Sequence, residues 1–148
     1  MVPVLTADQG PSSAPLTRQV LRAILAVAYL AAGVLHVAIP APFLGITPAW
    51  VPFAPQVIQA TGLCEIAGAI ALFVPRLRWW AGVMLALYAV CVYPANIKHA
   101  ADYIAHGTGG LSLWYHIPRL AFQPVIVWWA LFAGRVIDWP FTARKPRA

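Results

Sequence analysis

The side chains able to do acid–base chemistry are few, and the most telling is Glu65. It sits near the middle of the run from Gln56 to Val74, which Pro55 and Pro75 close on either side. About 20 apolar residues suffice to cross a bilayer, and a carboxylate at the centre of such a run costs about 2.5–3.5 kcal/mol on insertion scales. A proton, a partner or a polar cavity has to offset that cost. In an earlier apolar run, Tyr29, Gly33 and His36 fall at i, i+4 and i+7 and share one helical face. Counting inward at about 1.5 Å per residue places Tyr29, Tyr88 and either Trp128 or Trp129 at the level of Glu65, with no Lys or Arg there. The carboxyl is therefore expected to carry its own proton, held by Tyr29 and Tyr88, or to be bound to something else, and not to be ion-paired. A second polar layer, closer to the outer end, gathers His36, Gln59, Tyr93, Asn96, Arg119 and Gln123. This convergence predicts a small polar cavity in a helical bundle, with Glu65 and His36 as the proton-handling pair and Tyr29, Gln59, Tyr88, Tyr93, Asn96, Arg119 and Gln123 as ligand contacts. The plainer alternative is interhelical hydrogen bonding, worth about 0.6 kcal/mol per contact.

Other constellations are weaker. His99, Asp102 and His106 fall at i, i+3 and i+7, with His116 further on. Imidazole and carboxylate are suitable ligands for zinc or copper. No fourth ligand is fixed, however, and Gly107 invites the helix to stop, so the expectation is a solvated helix face and no metal. Cys64 and Cys91 form no Cys-x-x-Cys pair and read as small apolar residues in helix packing; a disulfide between them is the minor alternative. The sequence holds no phosphate-binding glycine loop, nucleophile elbow or metalloprotease motif.

These residues need elements to position them. The chain has 148 residues, 61% hydrophobic and 9% charged, against about 25% charged in soluble domains. The class this predicts is an all-α membrane protein, a four-transmembrane-helix bundle with spans at about 16–39, 56–74, 77–97 and 118–137. A polar tail is expected over 1–15, without the features of a secretory signal, and a basic tail over 140–148. Residues 40–55 hold five prolines with Phe43, Trp50 and Phe53, which predicts an interfacial segment without a continuous helix, or a cap folded over the bundle. Pro94 should kink the third span near its end, and residues 98–117 read as a mixed loop that opens with a short amphipathic helix. With four spans, eight Lys and Arg residues fall on one side and Lys98 and Arg119 on the other. This asymmetry predicts a multi-pass protein of the cell membrane with both termini cytoplasmic. The basic residues flank apolar spans, so lipid is the expected partner and nucleic acid is not.

Several segments, in order, resemble the DoxX-like family of small membrane proteins: Ala31–His36 with Pro40 and Phe43; Pro48–Pro52 with Thr61–Ala69; Leu72–Arg78; Tyr93–Ile97; and Trp114–Leu120 with Gln123. The resemblance implies a four-helix bundle with a redox association. Some members are subunits of thiosulfate:quinone oxidoreductase; others associate with superoxide dismutase and a sulfurtransferase. It carries over no agreed catalytic set. The expected function is then redox-associated binding of a quinone or another small lipophilic ligand in the bundle. The alternative is a non-catalytic anchor or assembly subunit for a soluble redox protein, with a transporter ranked last. Whether the chain is itself an enzyme, an oxidoreductase subunit of quinone-linked type, stays open at this point, as does homo-oligomerisation.

Overall fold

The computed structural model describes residues 13–107 and 112–140. Among the described residues the chain forms five helices: α1 (Ser13–Ala38), α2 (Ala41–Ile46), α3 (Ala54–Ala71), α4 (Arg78–His106) and α5 (Leu113–Ala133). No strand occurs among the described residues. Of the polar tail expected over 1–15, residues 1–12 lie outside the described residues and the last three belong to α1; Gly109, Gly110 and the expected basic tail with Arg144, Lys145 and Arg147 also lie outside the described residues.

Boundaries differ from the sequence expectation on both sides of the loop expected over 98–117. α4 runs on through Pro94 to His106, so the loop expected after Ile97 is helix as far as Gly107, whose φ of 62° ends it. α5 starts at Leu113 and contains both Pro118 and Pro124. A proline inside a helix removes one N–H and frees the carbonyl four residues back, and Pro124 does this to Leu120. The Tyr93 hydroxyl donates to that Leu120 oxygen at 3.4 Å, so a side chain from α4 supplies what the ring removed. Between α1 and α3, the proline-rich stretch does form one short helix, α2, with turns around it.

The four long helices alternate in direction. The starts of α1 and α4 meet the ends of α3 and α5: Arg22 Nε donates to the Ala133 oxygen at 2.9 Å, and Arg78 Nε to the Leu72 oxygen at 2.9 Å. At the other end, Lys98 Nζ reaches the Gly45 oxygen at 3.4 Å, and the His99 and His116 rings lie 4.6 Å apart. α1 packs chiefly along α3, and α4 along α5. Two glycine crossings make this close approach possible. A Cβ at Gly33 would lie 2.6 Å from the Gly62 oxygen, and one at Gly134 would lie 2.5 Å from the Gly82 Cα.

Size is distributed inside out. The core consists largely of alanines, including Ala26, Ala69, Ala81, Ala86, Ala130 and Ala133, with Leu25, Tyr29, Leu72 and Leu85. Large apolar side chains such as Leu16, Val27, Leu63, Met84 and Ile117 are exposed. Small residues inside allow backbones to approach, as in helix packing within lipid. The segments Leu16–Ala38 and Arg78–His106 are long and apolar enough to cross a membrane. α3 and α5 fall short because Gln56, Gln59 and Glu65 in one, and His116, Arg119 and Gln123 in the other, dilute their apolar character.

Candidate functional site

The α1–α3 crossing sets the geometry around Glu65. The two helices run in opposite directions, so Glu65 lies over Gly33 and His36 over Gly62. Cβ atoms added to those glycines would sit 3.0 Å from the Glu65 Cβ and 2.8 Å from the His36 Cβ. The side chains then lean together, with His36 Nδ1 2.9 Å from Glu65 Oε2. This corrects the depth count, which put the two residues in separate layers and expected no ion-pair partner. The absence of Lys or Arg beside Glu65 did not leave it alone, because a histidine from the crossing helix reaches it.

Glu65 is 3% exposed. Although Nδ1 is close, the His36 N–H is aligned with the Ala32 oxygen one turn back, at 2.9 Å. Glu65 Oε2 is consequently shut away from solvent with no aligned donor among the described residues. A buried acceptor in that state is costly, and rotating the imidazole or protonating the carboxyl relieves it. The Tyr88 hydroxyl interacts with both Glu65 and Thr61, and the Tyr29 and Tyr88 rings meet edge to face with centroids 6.1 Å apart. The Tyr29 hydroxyl itself donates to the Leu85 oxygen at 3.2 Å, so it braces α4 and does not hold the carboxylate.

Above this pair lies a cavity of about 470 Å³ with mostly apolar walls. Of the nine residues expected at the site, seven line it: Tyr29, His36, Glu65, Tyr88, Asn96, Arg119 and Gln123. Two do not. Gln59 is exposed on the outer face of α3, next to the cavity-lining Ile58 and two residues before Thr61 but rotated about 100° and 200° away from them. Tyr93 is spent on the Leu120 oxygen. Asn96 and Gln123 line the wall but are engaged with the backbone and each other: Asn96 Nδ2 donates to Gln123 Oε1 at 3.2 Å, and Gln123 Nε2 to the Ala89 oxygen. Arg119 stands at the rim, bonded to the Tyr115 hydroxyl.

The proline-rich stretch covers the cavity. Phe43, Thr47, Trp50 and Val51 line it, and the Phe43 ring stacks on His36 with centroids 3.8 Å apart. This is the cap over the bundle that the sequence offered as the alternative to an interfacial segment; a further signal was Phe43 placed seven residues after His36 across a Pro40 break. Trp129 also lines the cavity and donates through Nε1 to the Leu21 oxygen at 2.9 Å, whereas Trp128 bonds the Trp139 oxygen instead.

At the remaining candidate positions, Cys64 and Cys91 are free and exposed, so they form no disulfide. Asp102 is paired with Lys98 at 2.5 Å, and no group of metal-ligating side chains forms among the described residues. His116 is buried, packed edge to face against His99.

Residues 25–134, well over half of the chain, match the family described as Domain of unknown function (DUF8561), and the chain belongs to that family. The DoxX-like resemblance is corrected by this match. The short segments that carried it combine glycine, proline and aromatic residues, which any tightly packed, proline-interrupted helical bundle uses, and the redox association it implied goes with it. No curated protein and no solved structure matches the chain.

Proposed function

We propose that this member of the family crosses the membrane with all four long helices, both termini on the cytoplasmic side, and holds a small lipophilic ligand in the covered cavity. Glu65 and His36 exchange a proton with a carbonyl or hydroxyl on that ligand. The observation that carries the reading is the buried Glu65 oxygen 2.9 Å from an imidazole, at the floor of a mostly apolar space. A cavity of about 470 Å³ is within the range of about 300–1,000 Å³ usual for small-molecule sites. Apolar walls with a few convergent polar groups favour a ligand that partitions into lipid and carries one polar head. A carboxyl and an imidazole within about 2.6–3.2 Å of each other are in range for proton transfer.

Several features support the membrane reading. Antiparallel packing makes α3 and α5 share the slab that α1 and α4 are long enough to cross. Exposed large apolar side chains cover α1 and α4 along their length. Arg18, Arg22, Arg76, Arg78 and Arg135 collect at the end where α1 starts and α5 ends, an asymmetry that supports a cytoplasmic side for that end.

The experiment is a ligand titration of the protein in liposomes, followed by the fluorescence of Trp50 and Trp129, with a short-chain quinone as the first probe and long-chain alcohols and ketones as the rest of the panel. Glu65→Gln should weaken binding of the best probe about tenfold and flatten its pH dependence, since hydrogen bonds to a charged group contribute about 1.5–3 kcal/mol. Val57→Trp, at the rim, should block binding while leaving the fold intact. Unchanged affinity and pH dependence in Glu65→Gln would remove the proton role; saturable binding unaffected by Val57→Trp would remove the cavity.

A further inference from the structure

At the opposite end of the bundle, a second cavity of about 400 Å³ is lined by Arg18, Gln19, Arg22, Phe73, Arg78 and Arg135. Four guanidinium groups therefore converge there from the start of α1, the start of α4 and the end of α5. Among the described residues one carboxylate stands nearby, Asp138, and it is taken by Arg18 at 2.6 Å. Arg18 also lies over the Phe132 ring, 4.4 Å from its centroid. That leaves Arg22, Arg78 and Arg135 without a counter-charge among the described residues.

Basic residues that only set topology need no more than water and headgroups around them. Arg22 departs from that pattern, being 5% exposed. Its Nε donates to Ala133 and the Arg78 Nε to Leu72, so backbone carbonyls orient both guanidinium planes, while their terminal amino groups have no hydrogen-bond partner among the described residues. Arg135 adds an independent sign. It follows Gly134 at the end of α5 with a φ of 64°, in the left-handed region. A glycine would occupy that position without strain, and it is the usual residue after a helix end. Backbone strain of this kind persists where a side chain is required in that place. The Gly82–Gly134 crossing fixes the arrangement, since a Cβ at Gly134 would lie 3.0 Å from the Arg78 oxygen.

We propose that this cavity binds a phosphate-class oxyanion, held by the forked donors of Arg22, Arg78 and Arg135. Planar guanidinium groups match phosphate geometry with paired N–H donors. The ligand chemistry is a phosphate group, borne by a lipid headgroup or free in solution. This inference does not rest on the ligand reading of the other cavity.

The test uses delipidated protein in a neutral detergent, with binding read by native mass spectrometry and thermal shift. The probes are inorganic phosphate, short-chain phosphatidic acid, and phosphatidylcholine of the same chain length. Phosphatidic acid, a phosphomonoester without choline, should bind about tenfold more tightly than phosphatidylcholine, whose phosphodiester is singly charged and carries its own choline cation. Comparable binding of inorganic phosphate assigns a soluble anion; binding of the lipid alone assigns a headgroup. Arg135→Gly and Arg135→Gln should each weaken the preferred phosphate probe about tenfold, while Arg76→Gln should not. Arg135→Gly relieves the backbone strain, so its helix content should be preserved. The proposal is overturned if no phosphate probe is preferred over phosphatidylcholine, or if both Arg135 variants bind like the parent.

Discussion

The two ends of this bundle are built on the same device and reach opposite electrostatic outcomes. Gly33 against Gly62 and Gly82 against Gly134 each bring two helices so close that a single Cβ would strike backbone. At the first crossing, the residues one turn on are an acid and an imidazole, and they meet at 2.9 Å. At the second, the neighbouring residues are arginines, and they meet one another around a cavity. The first region can settle its charge internally by moving one proton. The second cannot, because no guanidinium gives up its proton under ordinary conditions. A glycine crossing therefore specifies proximity, and the residues within a turn of it decide whether that proximity is self-compensated or calls for a ligand.

Breaking the crossing itself should have the largest effect. Gly33→Leu drives a side chain into the Gly62 oxygen and Glu65, and overpacking a tight contact costs about 1–3 kcal/mol or more. Thermal unfolding in detergent should show a loss at or above the upper end of that range, together with loss of cavity binding. Gly82→Leu should destabilise comparably and abolish phosphate binding. A mild effect at either glycine would mean that the helices can separate without consequence.

Substitutions within each region should separate the two sites functionally. Glu65→Gln should reduce cavity ligand binding about tenfold, equivalent to about 1.4 kcal/mol, and leave the phosphate response unchanged. Raising salt should have the reverse pattern. The arginine cavity would bind through attraction to guanidinium groups without a counter-charge among the described residues, and at 1 M salt the screening length is about 3 Å, so phosphate affinity should fall while binding beside the Glu65–His36 pair holds. If both sites respond alike to salt, the contrast between an internally settled pair and an uncompensated cationic site fails.

The smallest effect is expected at Arg18. Its contact with Asp138 is partly exposed, the carboxylate side chain being 65% accessible. Exposed ion pairs contribute about 0–1 kcal/mol. Arg18→Gln should lower stability by less than about 1 kcal/mol, measured by thermal unfolding, and should weaken phosphate binding less than Arg135→Gln does.

Much of the helical layout was legible in the amino-acid order, because apolar runs separated by prolines and charges carry a one-dimensional signal. The clearest boundary error is at Pro118, the expected start of the fourth span, whereas the expected spans already contain Pro94 and Pro124. Pro94, Pro118 and Pro124 all lie inside helices, and at Pro124 a hydroxyl from a neighbouring helix, Tyr93, satisfies the carbonyl that the ring frees. A compensation of that kind is tertiary and cannot be seen within the helix that contains the proline. The candidate cavity was legible as a list of polar residues at similar depth, and seven of the nine do line it. Gln59 was misplaced because a depth count fixes height along a helix but ignores rotation about it.

Composition and pattern alone determined that this chain is helical, that its polar residues are scarce, and that a proton, a partner or a polar cavity must offset the burial of Glu65; these follow from local hydropathy and the cost of burying charge. Only the tertiary structure decided which partner. His36 lies 29 positions before Glu65 in the chain and becomes its neighbour through two glycines whose missing side chains let α1 and α3 touch. The same holds for Arg22, Arg78 and Arg135, which separate helix ends contribute to one cavity. Contact between distant residues depends on how closely and at what rotation helices pack. Those quantities are set by side chains on both partners together, so neither helix encodes them alone.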